Sequence, residues 1–319
     1  MRGIPIHHAL VLTAGLGTRL RPLTDVRAKP AIPVAGVPLV RRIVSWLATQ
    51  DVTELVLNLH HRPETLTSVV GDGRDLDVRV RYSWEQPRVL GSAGGPRLAL
   101  PIIGAERFFI VNGDTLTDLD LRRLSDAHVA ATAQVTLALV PNREFLRYGG
   151  VRLDDRGDVV GFITRGPAAA GSYHFIGAQI VEAAVFASLP PGAPASSIGG
   201  VYDALIASRP GSVRGFVCDA EFWDVGTIAD YWRTSLAFAA RTPAAVQLDA
   251  PRAGVHPTAR VTRSILWDDV SVGANAVVDR CIVTDGVAIP AAALYTDAAL
   301  TCGADGVTHA TQLIFEPKP

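Results

Sequence analysis

Apolar residues along this chain come in short runs separated by helical stripes, and the alternation itself predicts a fold. Ala9 to Leu12 is a compact apolar run that ends at a glycine turn, which predicts a buried first strand. After the turn, Leu39, Ile43, Trp46 and Leu47 recur at helical spacing in "PLVRRIVSWLATQ". Then comes "ELVLNL", mostly apolar, as expected of a parallel strand covered on both faces. "VRVRY" at Val78 to Tyr82, a glycine-rich start at Gly91 leading into a helix to Leu100, and the strand "RFFIVNGD" continue the series. Strands alternating with helices predict a doubly wound, mostly parallel α/β sheet, whose ligands bind at the carboxyl ends of the strands.

From Ala131 the texture shifts to "AQVTLALV", "GGVRLDD" with "DVVGFIT", and "YHFIGAQIV", which predict a more antiparallel second half with a "DDRGD" turn. An Ala- and Pro-rich stretch near residues 245 to 253 predicts a boundary, giving domains 1–245 and 250–319. Beyond it Val255 and Val261, and again Val272 and Val278, stand six apart, the hexad pattern of a parallel β-helix. The repeat decays after Ile289, and such a short solenoid needs a partner surface. A homodimer interface would bury its open coil edges.

Composition narrows the picture. The chain has 319 residues, 48% of them hydrophobic, and its 30 basic and 31 acidic residues give a net charge of −1. No global basic field marks a nucleic-acid or membrane-surface binder, so any phosphate chemistry must be local. The three cysteines, Cys218, Cys281 and Cys302, form no CxxC pair and no even framework, which fits a reducing compartment. The apolar run at Ala9 to Leu12 is too short for a signal peptide, and no stretch reaches the length of a membrane span. A cytoplasmic protein is expected.

The candidate chemistry opens in "LTAGLGTRLRPLTDVRAKP", Leu12 to Pro30. It is not a P-loop, because Thr18 follows the second glycine and the first lysine comes only at Lys29. Nor is it a dinucleotide fingerprint, since Leu20 stands where the third glycine belongs. A glycine turn whose free N–H groups cradle an anion remains, with Arg19, Arg21, Arg27 and Lys29 close behind. Arg21 and Arg27 suit surface or salt-bridge roles equally well. The pairs His7–His8 and His60–His61 lack Cys or acidic partners at ligand spacing, so strand-end or loop roles are expected.

"GLGTRLRPLT" with "KPAIPVAGVPLV", followed by "LGSAGG", "VNGDTLTDLDL" and "FWDVGTIADY", resembles the signature of the sugar-1-phosphate nucleotidylyltransferases over residues 8 to about 235. The overall look is nearest to the mannose-1-phosphate guanylyltransferases within that family. The resemblance implies a Rossmann-like sheet of the nucleotide-diphospho-sugar transferase type with a short left-handed β-helix-like tail. It implies that an NTP and a sugar 1-phosphate give an NDP-sugar and pyrophosphate, with Mg2+ as cofactor. Arg19 and Lys29 are then the catalytic cations, and Asp114 and Asp224, 110 positions apart, the metal ligands. The nucleotide would be met by Leu12, Ala14, Gly15, Gly17, Thr18, Gly91 and Ser92, and its base by Glu85 or Gln86. Glutamate there suits guanine and glutamine suits uracil or thymine. Gly150, Arg165, His174 and Gly177 fall on the sugar-phosphate side, where "ITRGP" replaces the family's usual "EKP".

The overall resemblance, carried by "RPLTDVRAKPAIPVAG" and the tail, favours GTP and mannose 1-phosphate. A uridylyl- or thymidylyltransferase acting on glucose 1-phosphate or an amino-sugar 1-phosphate is the alternative substrate reading. A non-catalytic nucleotide-sugar-binding subunit is the alternative of another class, and Lys29, Asp114 and Asp224 speak against it.

Overall fold

The computed structural model describes residues 6–241, 254–303 and 305–314. The expected boundary at 245 to 253 lies outside them. Two compact units emerge, Met1–Gly15 with Val40–Trp223, and Leu16–Leu39 with Asp224–Pro319. The opening signature is thus divided after Gly15, and most of it shares a unit with the tail.

The first unit is built on a nine-stranded sheet. His8–Leu12 lies between Arg107–Asn112 and Glu54–Leu59, parallel to both, and Arg79–Trp84 continues the parallel side. The predicted helix runs Leu39–Thr49 and buries Leu39, Val40, Ile43, Val44 and Leu47, while Trp46 stays half-exposed. Tyr173–Glu182 enters antiparallel beside Arg107–Asn112, and carries Val135–Pro141 and the hairpin Gly150–Leu153/Val159–Ile163. The predicted antiparallel half is therefore part of the same sheet. One core joins Leu10, Val56, Phe108, Ile110, Leu137 and Val181 of the strands to Ala93, Ala99 and Ile103 of the helix Gly91–Ile103. Their alternation along each strand places one side chain in two on that face.

In the second unit the tail is a parallel β-helix. Arg260–Thr262 pairs in register with Val277–Asp279, and that strand with Leu294–Thr296, each step 17 residues along the chain. Val255, Val261, Leu266 and Val272 mark one circuit, with steps of six, five and six residues. The shortened middle step is why a strict six-residue count loses the repeat. Corners carry a left-handed residue at Arg263, Asp269, Asn275, Arg280, Gly286, Ala292 and Asp297. Each such non-glycine corner costs about 1–2 kcal/mol, offset by inter-coil bonds such as Asp279 O accepting from Asp297 N–H at 3.1 Å.

The decay of the pattern after Ile289 does not end the solenoid. Ala298–Cys302 stacks on Ile282–Val283, and Thr308–Gln312 then turns back antiparallel along Ala298–Cys302. That strand closes one edge of the last coil, the usual means of blocking edge-to-edge association.

Candidate active site

In a doubly wound sheet the ligand site lies where the strand order reverses. Here that point is the carboxyl end of His8–Leu12, because the chain moves first to Glu54–Leu59 and later returns on the other side with Arg107–Asn112. Thr13, Ala14 and Gly15 leave one strand end there, and Gly113 and Asp114 leave its neighbour. Leu12 C=O accepts from Gly113 N–H at 2.9 Å, and a β-carbon on Gly113 would stand 2.5 Å from that oxygen. Glycine is thus required for "NGD" to close against the first strand, and Asp114 follows half-buried. A β-carbon on Gly15 would meet nothing within 4 Å, so Gly15 borders open space.

A buried polar relay, absent from the expectations, organises this strand-end surface. Thr13 N–H donates to Asn58 Oδ1 at 2.6 Å, and the Thr13 hydroxyl donates to Asn58 C=O. Asn58 Nδ2 donates to Glu85 Oε1 at 2.7 Å, and Leu90 N–H donates to Glu85 Oε2 at 2.6 Å. Asn58 was visible as a polar residue between the leucines of "ELVLNL". Glu85, one of the two side chains expected at the base, is wholly buried with both carboxylate oxygens engaged. Gln86, beside it, is exposed.

"LGSAGG" is likewise tied into internal hydrogen bonds. The N–H groups of Ala93 and Gly94 donate to Ala195 C=O, and Leu90 C=O accepts from Ala195 N–H. The Ser92 hydroxyl accepts from Ser197 N–H at 2.9 Å, and Gly91, with φ of 76°, has Ala195 C=O 2.8 Å from where a β-carbon would be. Gly91 and Ser92 therefore hold the segment Ala195–Ser197 against the helix start.

On the expected sugar side, Gly150 is demanded by packing, since a β-carbon would fall 2.1 Å from Ser172 Oγ. Gly177 has φ of 81° and lies against Asn112, two residues before Asp114. Arg165 is exposed and forms no ion pair among the described residues. His174 stacks on Tyr148 with ring centroids 4.1 Å apart and meets Phe222 at 5.0 Å. These rings border a cavity of about 420 Å³, shared with Asn142, Cys218 and Trp223. Burial pushes the His174 imidazole down to about 4, so it is neutral at physiological pH and offers a phosphate no charge. In the two histidine pairs, His7 Nδ1 meets Asp51 C=O and His60 Nδ1 meets Glu85 C=O, each at 2.7 Å.

The second unit holds the rest of the signature. Gly17 has φ of 62°, and a β-carbon there would come within 2.7 Å of Thr24 Cγ2 and 3.1 Å of Lys29 Cβ. Thr24 Oγ1 donates to Gly17 C=O at 3.0 Å, so the loop folds on itself and buries Lys29. Thr18 and Arg19 remain exposed. A β-carbon on Gly226 would stand 3.1 Å from Asp224 Oδ2 and 3.3 Å from Arg19 Nη2, so one expected cation and one expected carboxylate meet at a single glycine. The following helix, Ile228–Arg241, is capped by Thr227, whose Oγ1 accepts from Asp230 N–H at 3.2 Å. Arg27 is a salt-bridge residue, bonded to Asp285 and Asp268 of the tail. Among the described residues, no cluster of three or more His, Cys, Asp or Glu side chains could hold a metal by itself. No helix among them is long and apolar enough to cross a membrane.

Comparison with known proteins agrees with this architecture. Residues 8–241 match the Nucleotidyl transferase family, and residues 248–296 match the GlmU-like, C-terminal hexapeptide family. A mannose-1-phosphate guanylyltransferase of Mycobacterium tuberculosis is 30% identical over 293 residues, covering 89% of this chain and 81% of that protein. A UTP–glucose-1-phosphate uridylyltransferase of Synechocystis is 28% identical, covering 97% of this chain and 82% of the relative. In fold, HddC from Yersinia pseudotuberculosis, solved with GMP-PN, superposes with a TM-score of 0.61 at 22% identity, over 73% of this chain and 100% of that one. The resemblance read from the signature is borne out, and the chain belongs to the nucleotidyl transferase family as an enzyme carrying a hexapeptide tail.

Proposed function

We propose that this nucleotidyltransferase joins an NTP, with GTP favoured, to a sugar 1-phosphate, with mannose 1-phosphate favoured, releasing pyrophosphate. The observation that carries the reading is the meeting of Arg19 and Asp224 at Gly226, which brings a guanidinium fork and a hard carboxylate together at one buried glycine. A guanidinium binds phosphate oxygens in pairs, and a carboxylate binds a hard divalent cation.

In the reaction an acceptor phosphate oxygen attacks the α-phosphorus, the bond to the β-phosphoryl group breaks, and pyrophosphate leaves in line. The demand on the protein is position and charge neutralisation. In this reading the N–H groups from Gly15 to Thr18 hold the triphosphate, Arg19 holds the departing pyrophosphate, and Lys29 balances charge near the α-phosphate. Asp114 and Asp224 would hold Mg2+, which supplies further neutralisation of the phosphate oxygens. Two carboxylates suit Mg2+, which keeps most of its remaining coordination for phosphates and water. Arg165, exposed and unpaired among the described residues, would meet the acceptor phosphate. The neutral rings of Tyr148, His174 and Phe222 offer a stacking wall to a sugar ring. Residues 1–245 would form the catalytic domain and 250–319 the tail.

The engagement of Glu85 removes one argument for guanine, and Gln86 remains as a side chain able to address a base. The preference for guanosine rests on the 30% identity with the guanylyltransferase across 89% of the chain. The test is pyrophosphate release with four NTPs against mannose, glucose and N-acetylated sugar 1-phosphates, with Lys29→Ala, Asp114→Ala and an EDTA control. We expect turnover to be greatest with GTP and mannose 1-phosphate, and lost at least 100-fold in all three controls. A uridine or thymidine preference would overturn the substrate assignment. Silence across the grid with retained nucleotide-sugar binding would overturn the catalytic one.

A further inference from the structure

Arg27 lies two residues before Lys29, in the loop that begins with Gly17. Its side chain is only 12% exposed, and its guanidinium is held on three bonds by the tail. Arg27 Nε and Nη2 donate to the two oxygens of Asp285 at 2.6 and 2.7 Å, and Nη2 donates to Asp268 at 2.6 Å. The guanidinium also stands 5.5 Å from the Trp267 ring. A second connection runs alongside. Trp267 Nε1 donates to Tyr231 Oη at 2.9 Å, and Tyr231 Oη donates to Pro33 C=O at 2.7 Å. Tyr231 is wholly buried in the helix that starts just after Asp224. The two connections meet the signature loop on either side of Lys29, at Arg27 and at Pro33.

Two carboxylates on one arginine, one of them bidentate, form a rigid fork that a screened surface pair does not provide. Asp268 and Asp285 are stacked on successive coils 17 residues apart, since Asp268 N–H donates to Asp285 Oδ1 at 3.2 Å. The tail therefore presents a preformed acidic notch, with its tryptophan beside it.

We propose that the β-helix is a clamp for the nucleotide loop: Asp268 and Asp285 through Arg27, and Trp267 through Tyr231, fix the backbone that carries Arg19 and Lys29. This rests on the functional reading above for what the loop binds. The tail residues are positioning residues and touch no substrate. Because the clamp acts on the loop assigned to the NTP, its loss raises KM for the nucleotide selectively.

The experiment compares wild type with Asp268→Asn/Asp285→Asn, Asp285→Glu, Arg27→Lys and the milder Trp267→Phe, which removes only one N–H donor. Initial rates give KM for each substrate separately, and hydrogen exchange reports on peptides covering residues 16–34. The double variant is expected to raise KM for the NTP about tenfold, a loss typical of small misplacements in a bound geometry. KM for the sugar 1-phosphate stays within about twofold, Asp285→Glu recovers part of the loss, and exchange in 16–34 quickens. Unchanged exchange there, or equal increases in both KM values, would overturn the clamp. A wild-type protein silent with every NTP whose 16–34 exchange still depends on Asp268 and Asp285 would sink the functional reading and leave the clamp standing.

Discussion

Glu85 shows what a side chain gains and loses by being drawn inside. Its two oxygens accept one bond each from Asn58 Nδ2 and Leu90 N–H, and Asn58 in turn holds Thr13. Removing the carboxylate leaves those donors buried without acceptors. Hydrogen bonds to charged groups contribute about 1.5–3 kcal/mol each, and an orphaned buried donor adds its own desolvation cost. Glu85→Ala is therefore expected to lower stability by about 3 kcal/mol in urea unfolding. An alanine variant within 1 kcal/mol of wild type would show that the relay contributes little. The sequence displayed Glu85 and Gln86 side by side with no indication of which faced inward. The inward place of Glu85 was decided by residues 27 positions earlier and 5 later, which only folding brings together. Two glycines follow the same logic: at Gly91 and Gly150 the steric demand comes from the distant Ala195 C=O and Ser172 Oγ.

At the level of elements, periodicity carried most of the information. The parallel strands and the helix Leu39–Thr49 stand where their apolar spacing put them, because a buried face imposes its period directly on the residues. The tail was only half legible. Its middle side is one residue shorter than the other two, and the last coil uses Tyr295 where earlier coils use valine. Val278 sits at the centre of that stack, fully buried between Val261 and Tyr295. Val278→Ala removes two buried methyl groups and is expected to cost about 2 kcal/mol. Hydrogen exchange confined to residues 254–303 would register the loss. Exchange there unchanged from wild type would mean that the coil closes around the gap.

At the scale of the whole molecule, near-neutral net charge leaves stability against pH to a few buried groups. His128 and His174 are both held below the ordinary histidine value, chiefly by burial. The unfolded chain then takes up protons near pH 6.5 that the folded protein refuses. Stability should be flat above about pH 6.5 and fall as pH drops toward about 4, with the unfolded state binding more protons throughout that window. His174→Phe keeps the ring stack and removes one titrating group, so thermal unfolding between pH 7 and pH 4.5 should lose part of that slope. A slope identical to wild type would assign it to other groups.

Reaction class was written into the sequence, because phosphate chemistry needs glycine turns, cations and carboxylates at strand ends, and these occur as contiguous motifs whose order along the chain is itself specific. The strand succession and the presence of a hexad tail were equally local properties. Tertiary structure alone decided which motif residues are drawn into internal bonds and which remain exposed. It withdrew Glu85 and Ser92 into internal hydrogen bonds, left His174 without charge, set Asp224 beside Arg19 at Gly226, and gave Arg27 to the tail. Each of these outcomes depends on a partner remote in sequence, and a hydrogen bond or a desolvation penalty exists only once that partner has arrived.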